Sequence, residues 1–401
     1  MMAVVGLRRT HVGQKRSFAN DWFRDEGVAR VAGQLACASA DQRPGEAMHR
    51  QCRLRDASML SLVLCLAYSA AIAAVTPVWV PETGELDRAT ARAFASELIK
   101  DVETQALKPR VQSEYEAAKA RLLALVDGAP AAEPRASVYA AARAMLSTLD
   151  TDGHTLLWST MQTSNWQSAT QATSAEEASA VRTVAVPDKR SVLVLRPPQT
   201  TFKDAASTRT YALTMIDRIR RQVSADDPCA VVVDLGAQAG GSAWPAIAAL
   251  EPLITAANTA RLVDRDGARR PLVAPGAVEY FTGGPLPPND LARLAGRPLA
   301  IVLSAQTASA GEMVAIALRG QPGARTFGHK TYGATTGNVP TALPDGATVL
   351  LTTSRYAFGN EPALRGPLVP DIQAAAGDSS DTTLLQAVSW AAQTCSQGDK
   401  P

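Results

Sequence analysis

The sequence predicts an α/β protein in which a mainly parallel sheet follows a small N-terminal helical bundle. Three observations carry that expectation. Short, continuously apolar runs stand at residues 191–195, 229–235 and 299–303, the pattern of strands buried on both faces. Segments of helical composition alternate with them, at residues 207–223 and in an apolar stretch ending at residue 254. Ahead of all these, residues 87–149 are rich in Ala, Leu, Glu, Lys and Arg, with apolar positions at helical spacing. At 401 residues, 46% hydrophobic and 19% charged, the chain can bury a sizeable core in two domains. Its formal net charge of +2 is not concentrated in basic clusters or interleaved with aromatics, so nucleic acid is not an expected partner.

Taken in order, residues 1–47 show no sustained period of 3.6 or 2 and are expected to be a non-native or disordered extension. From Met48 the chain has a basic segment, then an apolar run from Met59 that ends in an Ala-x-Ala site at Ala71 to Ala73. That is the pattern of a secretory signal peptide over residues 48–74, with the native start at Met48 or Met59 and a periplasmic or secreted destination. The alternative is a membrane anchor, for which a run of about 17 residues is at the short limit; an uncleaved signal would give transient membrane association. Beyond the cleavage site only Cys229 and Cys395 remain, a pair that permits one disulfide or two buried thiols. No Cys, His and Asp cluster has metal-ligand spacing, so neither a metal nor a cofactor is expected.

Three helices are expected within a helical cap domain at residues 85–150, broken by Pro109 and by Asp127-Gly128-Ala129-Pro130. The turn Asp150-Thr151-Asp152-Gly153-His154-Thr155 leads from the third helix into a possible strand at residues 156–158. Beyond the signal the chain has only two histidines, His154 and His329, so a histidine base has few candidates, although a lone turn histidine is commonly a surface or cap residue. Residues 159–184, rich in Ser, Thr, Gln and Ala, read as a loop. After the strand at 229–235, the loop Gly236-Ala237-Gln238-Ala239-Gly240-Gly241-Ser242 has paired glycines whose N–H groups can approach a ligand closely.

The strand at 299–303 runs through small residues into a helix, and Ser309 sits at that corner. A serine there projects its hydroxyl from a rigid base, with following N–H groups aimed at any nearby oxyanion, as acyl transfer requires. Ser309 and Glu312 also fit a capping box, which needs no chemistry at all.

Thr307-Ala308-Ser309-Ala310-Gly311-Glu312 resembles the nucleophile motif of the S41 peptidases, the C-terminal processing and tricorn-like serine proteases. The similarity continues through residues 325–334, Leu343-Pro344-Asp345-Gly346-Ala347 and Gly366-Pro367-Leu368-Val369-Pro370-Asp371, in the family's order. The resemblance implies a ClpP/crotonase-like spiral protease domain over residues 151–395 and a peptide or protein substrate. It implies Ser309 as nucleophile and His154, in Asp152-Gly153-His154-Thr155, as base. It also implies an oxyanion hole from Ala310 with Gly240 or Gly241, and Glu361 as the carboxylate orienting the histidine. Two departures stand out. The Arg and Asn of the family's glycine motif are Gly236 and Gln238 here, and the lysine used by the processing branch is replaced by Ala334, with Lys330 displaced and expected at the surface. The gap between the helical region and the next strand cannot hold a PDZ domain. A non-catalytic protein binding a peptide or apolar ligand on the same fold is the alternative.

Overall fold

The computed structural model describes residues 82–128, 131–169, 180–187, 190–200 and 204–398; the expected extension and signal peptide lie outside them. Strand β1 (Glu85–Asp87) leads into helix α1 (Arg88–Gln105), whose N-cap Asp87 accepts from Thr90 N–H at 2.9 Å. Helix α2 (Gln112–Gly128), strand β2 (Ala132–Pro134) and helix α3 (Arg135–Leu146) follow, with Pro109 in the first connection. Phe94, Leu98, Leu122, Tyr139 and Met145 fill the space between the helices. At about 1.5–3 kcal/mol for each large side chain removed from water, this interior is a main source of their stability.

Strand β3 (Leu156–Trp158) comes next, and the segment read as a loop departs from that expectation, holding helix α4 (Thr160–Ala169) and strand β4 (Ala180–Val186). Helix α4 has no clear local signal. Strand β4 carries three valines and a threonine among its seven residues and pairs along its whole length with β5 (Arg190–Arg196). Helix α5 (Ala205–Asp226), strand β6 (Ala230–Asp234) and helix α6 (Trp244–Leu250) continue the chain. They lead through β7 (Ala260–Asp264), β8 (Arg269–Pro271) and α7 (Ala277–Thr282) to β9 (Leu299–Leu303) and helix α8 (Ala310–Arg319). Strands β10 (Arg325–Gly328), β11 (Thr336–Ala342), β12 (Thr348–Phe358) and β13 (Ile372–Gln373) precede the last helix, α9 (Ser380–Gly398).

Among the described residues the strands form two main sheets. The first runs β13-β10-β9-β6-β5-β4 and is parallel except for β4 against β5. Its middle strands β6 and β9 are buried at every position, the reason for their unbroken apolar runs. The second, antiparallel sheet runs β11-β12-β7-β8, with β3 also pairing with β12, and was not anticipated from the sequence. Leu343, Ala347, Val349 and Leu351 of its β11-β12 hairpin pack into the interior of the helices. The hairpin turn is fixed from both sides. Asp345 accepts from Tyr139 Oη at 2.5 Å and from Arg135 at 3.3 Å, while Gly346 has the left-handed φ of +86° that the turn needs.

Helix α9 covers the first sheet, with Leu384, Ala387, Val388 and Ala391 against Val194, Val232 and Val302. Cys395 near its end is bonded to Cys229 at the start of β6, with Cα atoms 6.0 Å apart, closing a loop across 166 positions. Such a cross-link stabilises chiefly by restricting the unfolded chain, by about 2–5 kcal/mol in small exported domains. The Cys229→Ser/Cys395→Ser variant should therefore unfold in denaturant with stability lowered by about that amount. Equal unfolding free energies for the variant and the oxidised parent would contradict the assignment.

Candidate active site

Two loops leave the same end of adjacent parallel strands, since β6 and β9 pair in register with Asp234 opposite Val302. The loop after β6 therefore lies beside the turn after β9. Three hydrogen bonds join them: Ala308 N–H to Gln238 O at 2.9 Å, Thr307 Oγ1 to Leu235 O at 2.9 Å, and Ser304 Oγ to Gly236 O at 2.5 Å. The fit is close. A Cβ on Gly311 would stand 2.4 Å from Gln238 O, so only glycine is accommodated there. Gly240 and Gly241 have φ of +138° and +102° and are buried beside this junction, and the Ser242 N–H donates to Thr200 O at 2.6 Å.

Ser309 occupies the corner with φ +49° and ψ −106°, a conformation that costs a non-glycine residue roughly 1–3 kcal/mol. Glu312 holds it there. The carboxylate accepts from Ser309 N–H at 2.9 Å through Oε2, and through Oε1 from Gly333 N–H at 2.9 Å and from the Thr331 hydroxyl. Glu312 is fully buried, and burial pushes its carboxyl up to about 7 against the lowering effect of these donors. The capping box read from the sequence is thus present, and the same turn aims the hydroxyl at a second group.

That group is His154, whose Nε2 stands 3.3 Å from Ser309 Oγ across 155 positions. The histidine follows two consecutive left-handed residues, Asp152 at φ +52° and Gly153 at φ +77°, in the turn before β3. The second sheet fixes this turn. Buried Arg355 of β12 donates to Asp152 Oδ2 at 2.5 Å and to Asp150 O at 2.7 Å, and Asn338 of β11 donates to His154 O at 3.0 Å. Arg365 adds a paired contact to Asp150, whose carboxyl it holds below the usual range. Burial lowers the imidazole to about 4, opposed by the Asp152 charge, so His154 is neutral in neutral solution.

The partner of His154 Nδ1 is Thr336 Oγ1 at 2.5 Å, on the first residue of β11. Thr336 is buried, and nothing in its sequence surroundings distinguishes it from other strand threonines. Glu361 is elsewhere: it is exposed, and its carbonyl accepts from Arg269 at 2.8 Å. Lys330 is exposed and Ala334 buried. Asp371 accepts from Thr326 N–H at 2.9 Å and pairs with Arg319 at 2.8 Å, tying the β13 edge to β10. Ser309, Ala310, Gly240, Gly241 and His154 are thus brought together by two sheets, whereas Glu361 is not part of the group. Chemically, a neutral imidazole at 3.3 Å can accept a hydroxyl proton, and a helix start beside paired glycines can offer N–H groups to an oxyanion.

Residues 200–374 match the model of peptidase family S41. A curated relative, the nisin-resistance protein of Lactococcus lactis subsp. lactis, is 26% identical over 144 residues, which cover 36% of this chain and 45% of that protein. The structure of a lipoprotein from Streptococcus agalactiae shares the fold with a TM-score of 0.58 at 17% identity, covering 80% of this chain and 99% of that one. The photosystem II D1 C-terminal processing protease aligns over 53% of this chain and 51% of its own at 18% identity, with a TM-score of 0.37. Ser309 lies inside the stretch that matches the S41 peptidase model, and His154 lies ahead of it.

Proposed function

We propose that this chain is an exported serine peptidase working through Ser309 and His154. The observation that carries the reading is the 3.3 Å approach of Ser309 Oγ to His154 Nε2, both buried, from segments 155 positions apart. A helix cap would explain the serine but not the histidine. In this mechanism the Ser309 oxygen attacks the peptide carbonyl carbon as His154 Nε2 takes its proton. The N–H groups of Ala310 and of Gly240 or Gly241 receive the oxyanion. His154 then returns the proton to the leaving amine, and water releases the acyl group by the reverse sequence of proton transfers. Thr336 is a positioning residue: its hydroxyl holds the ring at Nδ1, and in the tautomer where it accepts from Nδ1–H, Nε2 is free to accept. The negative charge of Asp152 favours the transient imidazolium.

Export draws support from the Cys229–Cys395 disulfide, a bond favoured in oxidising compartments, and from the lipoprotein that shares the fold. The signal-like segment at residues 48–74 fits the same destination. Among the described residues no helix is long and apolar enough to cross a membrane. The substrate class is a peptide or protein.

Ser309→Ala should lose all labelling by a fluorophosphonate while its stability changes by about 1 kcal/mol or less, the scale of one lost cap. Labelling that survived in this variant would reduce Ser309 to a cap. An unperturbed histidine base titrates near 6.5, and burial moves this one down to about 4. Because the base works unprotonated, protonation of His154 should cut activity only toward pH 4, and any change near 7 belongs to the Glu312 carboxyl that holds the Ser309 corner. Imidazole nitrogen NMR should show His154 as the neutral Nδ1–H tautomer at pH 6, and titration near 6.5 would contradict the burial argument. Thr336→Val should lower kcat at least tenfold with little change in KM and disturb that tautomer, with Thr336→Ser restoring both. A Thr336→Val enzyme with normal kcat would show that the Nδ1 contact has no part in the reaction.

A further inference from the structure

Beside Ala310, the residue after Ser309, opens a cleft of about 340 Å³. Its walls are Ala310 and Met313 of α8, Gly241 of the glycine loop, Trp244 of α6, Phe281 of α7 and Val339 of β11. Trp244 and Phe281 stack with ring centroids 3.9 Å apart and planes within 16°, making one flat apolar wall. The charged residue in the lining, Arg270, is exposed, so its guanidinium is free to remain hydrated. Volume and lining together set the occupant. At the small end of the roughly 300–1,000 Å³ range for ligand pockets, the cleft has room for one large side chain and not for a folded segment.

The direction of approach follows from two residues shared with the chemistry. Ala310 and Gly241 are among the carriers of the N–H groups assigned above to the oxyanion, and both line the cleft. The carbonyl under attack must therefore lie at its mouth. His154, which returns the proton to the leaving amine, is not in the lining. The group able to fall into the cleft is thus the side chain attached on the acyl side of that carbonyl.

We propose that this cleft is the specificity subsite for the residue on the acyl side of the scissile bond, and that it takes a single large apolar side chain, aromatic or leucine-sized. The inference rests on the serine peptidase reading. Shape and apolar burial discriminate by factors of roughly 10–200 for differences of one to a few methylenes, so small and charged residues should be handled poorly.

The test uses the full chain and peptides identical except for that residue, which is Phe, Leu, Ala or Glu. Phe and Leu should exceed Ala and Glu at least tenfold in kcat/KM. Val339→Trp, which fills the cleft from β11, should bring the ratio of Phe to Ala close to one. A second readout needs neither turnover nor a filled cleft: product-like peptides ending in Phe should bind Ser309→Ala at least tenfold tighter than those ending in Ala or Glu. Equal handling of Phe, Ala and Glu in both assays overturns the subsite. If the wild type cleaves none of the peptides and takes up no fluorophosphonate, the peptidase reading falls, and the binding series decides the cleft alone. A tenfold preference for Phe then sustains only a binding cleft for a large apolar side chain and ends its role in cleavage, and equal affinities end both.

Discussion

The site depends on a backbone conformation that serine rarely adopts, the left-handed φ of +49° at Ser309. Left to itself that turn would relax, releasing the roughly 1–3 kcal/mol stored in it. It is kept by contacts on three sides. The Glu312 carboxylate accepts from the Ser309 N–H, the missing side chain of Gly311 lets Gln238 O come close, and Tyr332 N–H donates to Thr307 O at 2.9 Å. Glu312 is central because the same carboxylate binds Thr331 and Gly333, so the corner is locked to the segment that leads into β11. Burying a carboxyl is costly, and its elevation to about 7 measures how much of that cost the three donors leave uncompensated.

Division of labour between the sheets follows from this lock. The parallel sheet delivers the serine and the glycine loop from β9 and β6, whose register puts their carboxyl ends side by side. The antiparallel sheet delivers the histidine and its Nδ1 partner, through β3 and β11, both paired to β12. Arg355, also on β12, anchors the Asp150–Asp152 turn, so a buried guanidinium helps set where the imidazole stands. Orientation by a threonine hydroxyl has an electrostatic consequence. A hydroxyl can hold the ring in place but carries no charge to stabilise an imidazolium, so burial keeps the histidine hard to protonate.

What could be read from the sequence was what local grammar encodes. A buried strand, a run of small residues and a helix announced the corner at Ser309, and scarcity of histidine narrowed the base to His154 or His329. Strand β9 was delimited correctly because both faces are buried and every position is apolar. The pieces fixed by distant partners were not legible. Thr336 gains its place from a histidine 182 positions away, and its neighbours in β11 show no pattern that marks it. Glu361, which the family resemblance implies as the orienting carboxylate, is exposed just past the end of β12. Helix α4 escaped because Ser, Thr and Gln carry weak propensity, and the valine-rich strand β4 was hidden behind the polar stretch before it.

The central claim is that Ser309 and His154 form one functional unit, and a double-mutant cycle on peptide hydrolysis tests it most directly. Groups acting as a unit are strongly non-additive: once one is gone, removing the other costs little more. The account predicts that Ser309→Ala/His154→Ala is no less active than the worse of the two single variants. Losses that multiply, with the double variant down by the product of the single effects, would contradict it.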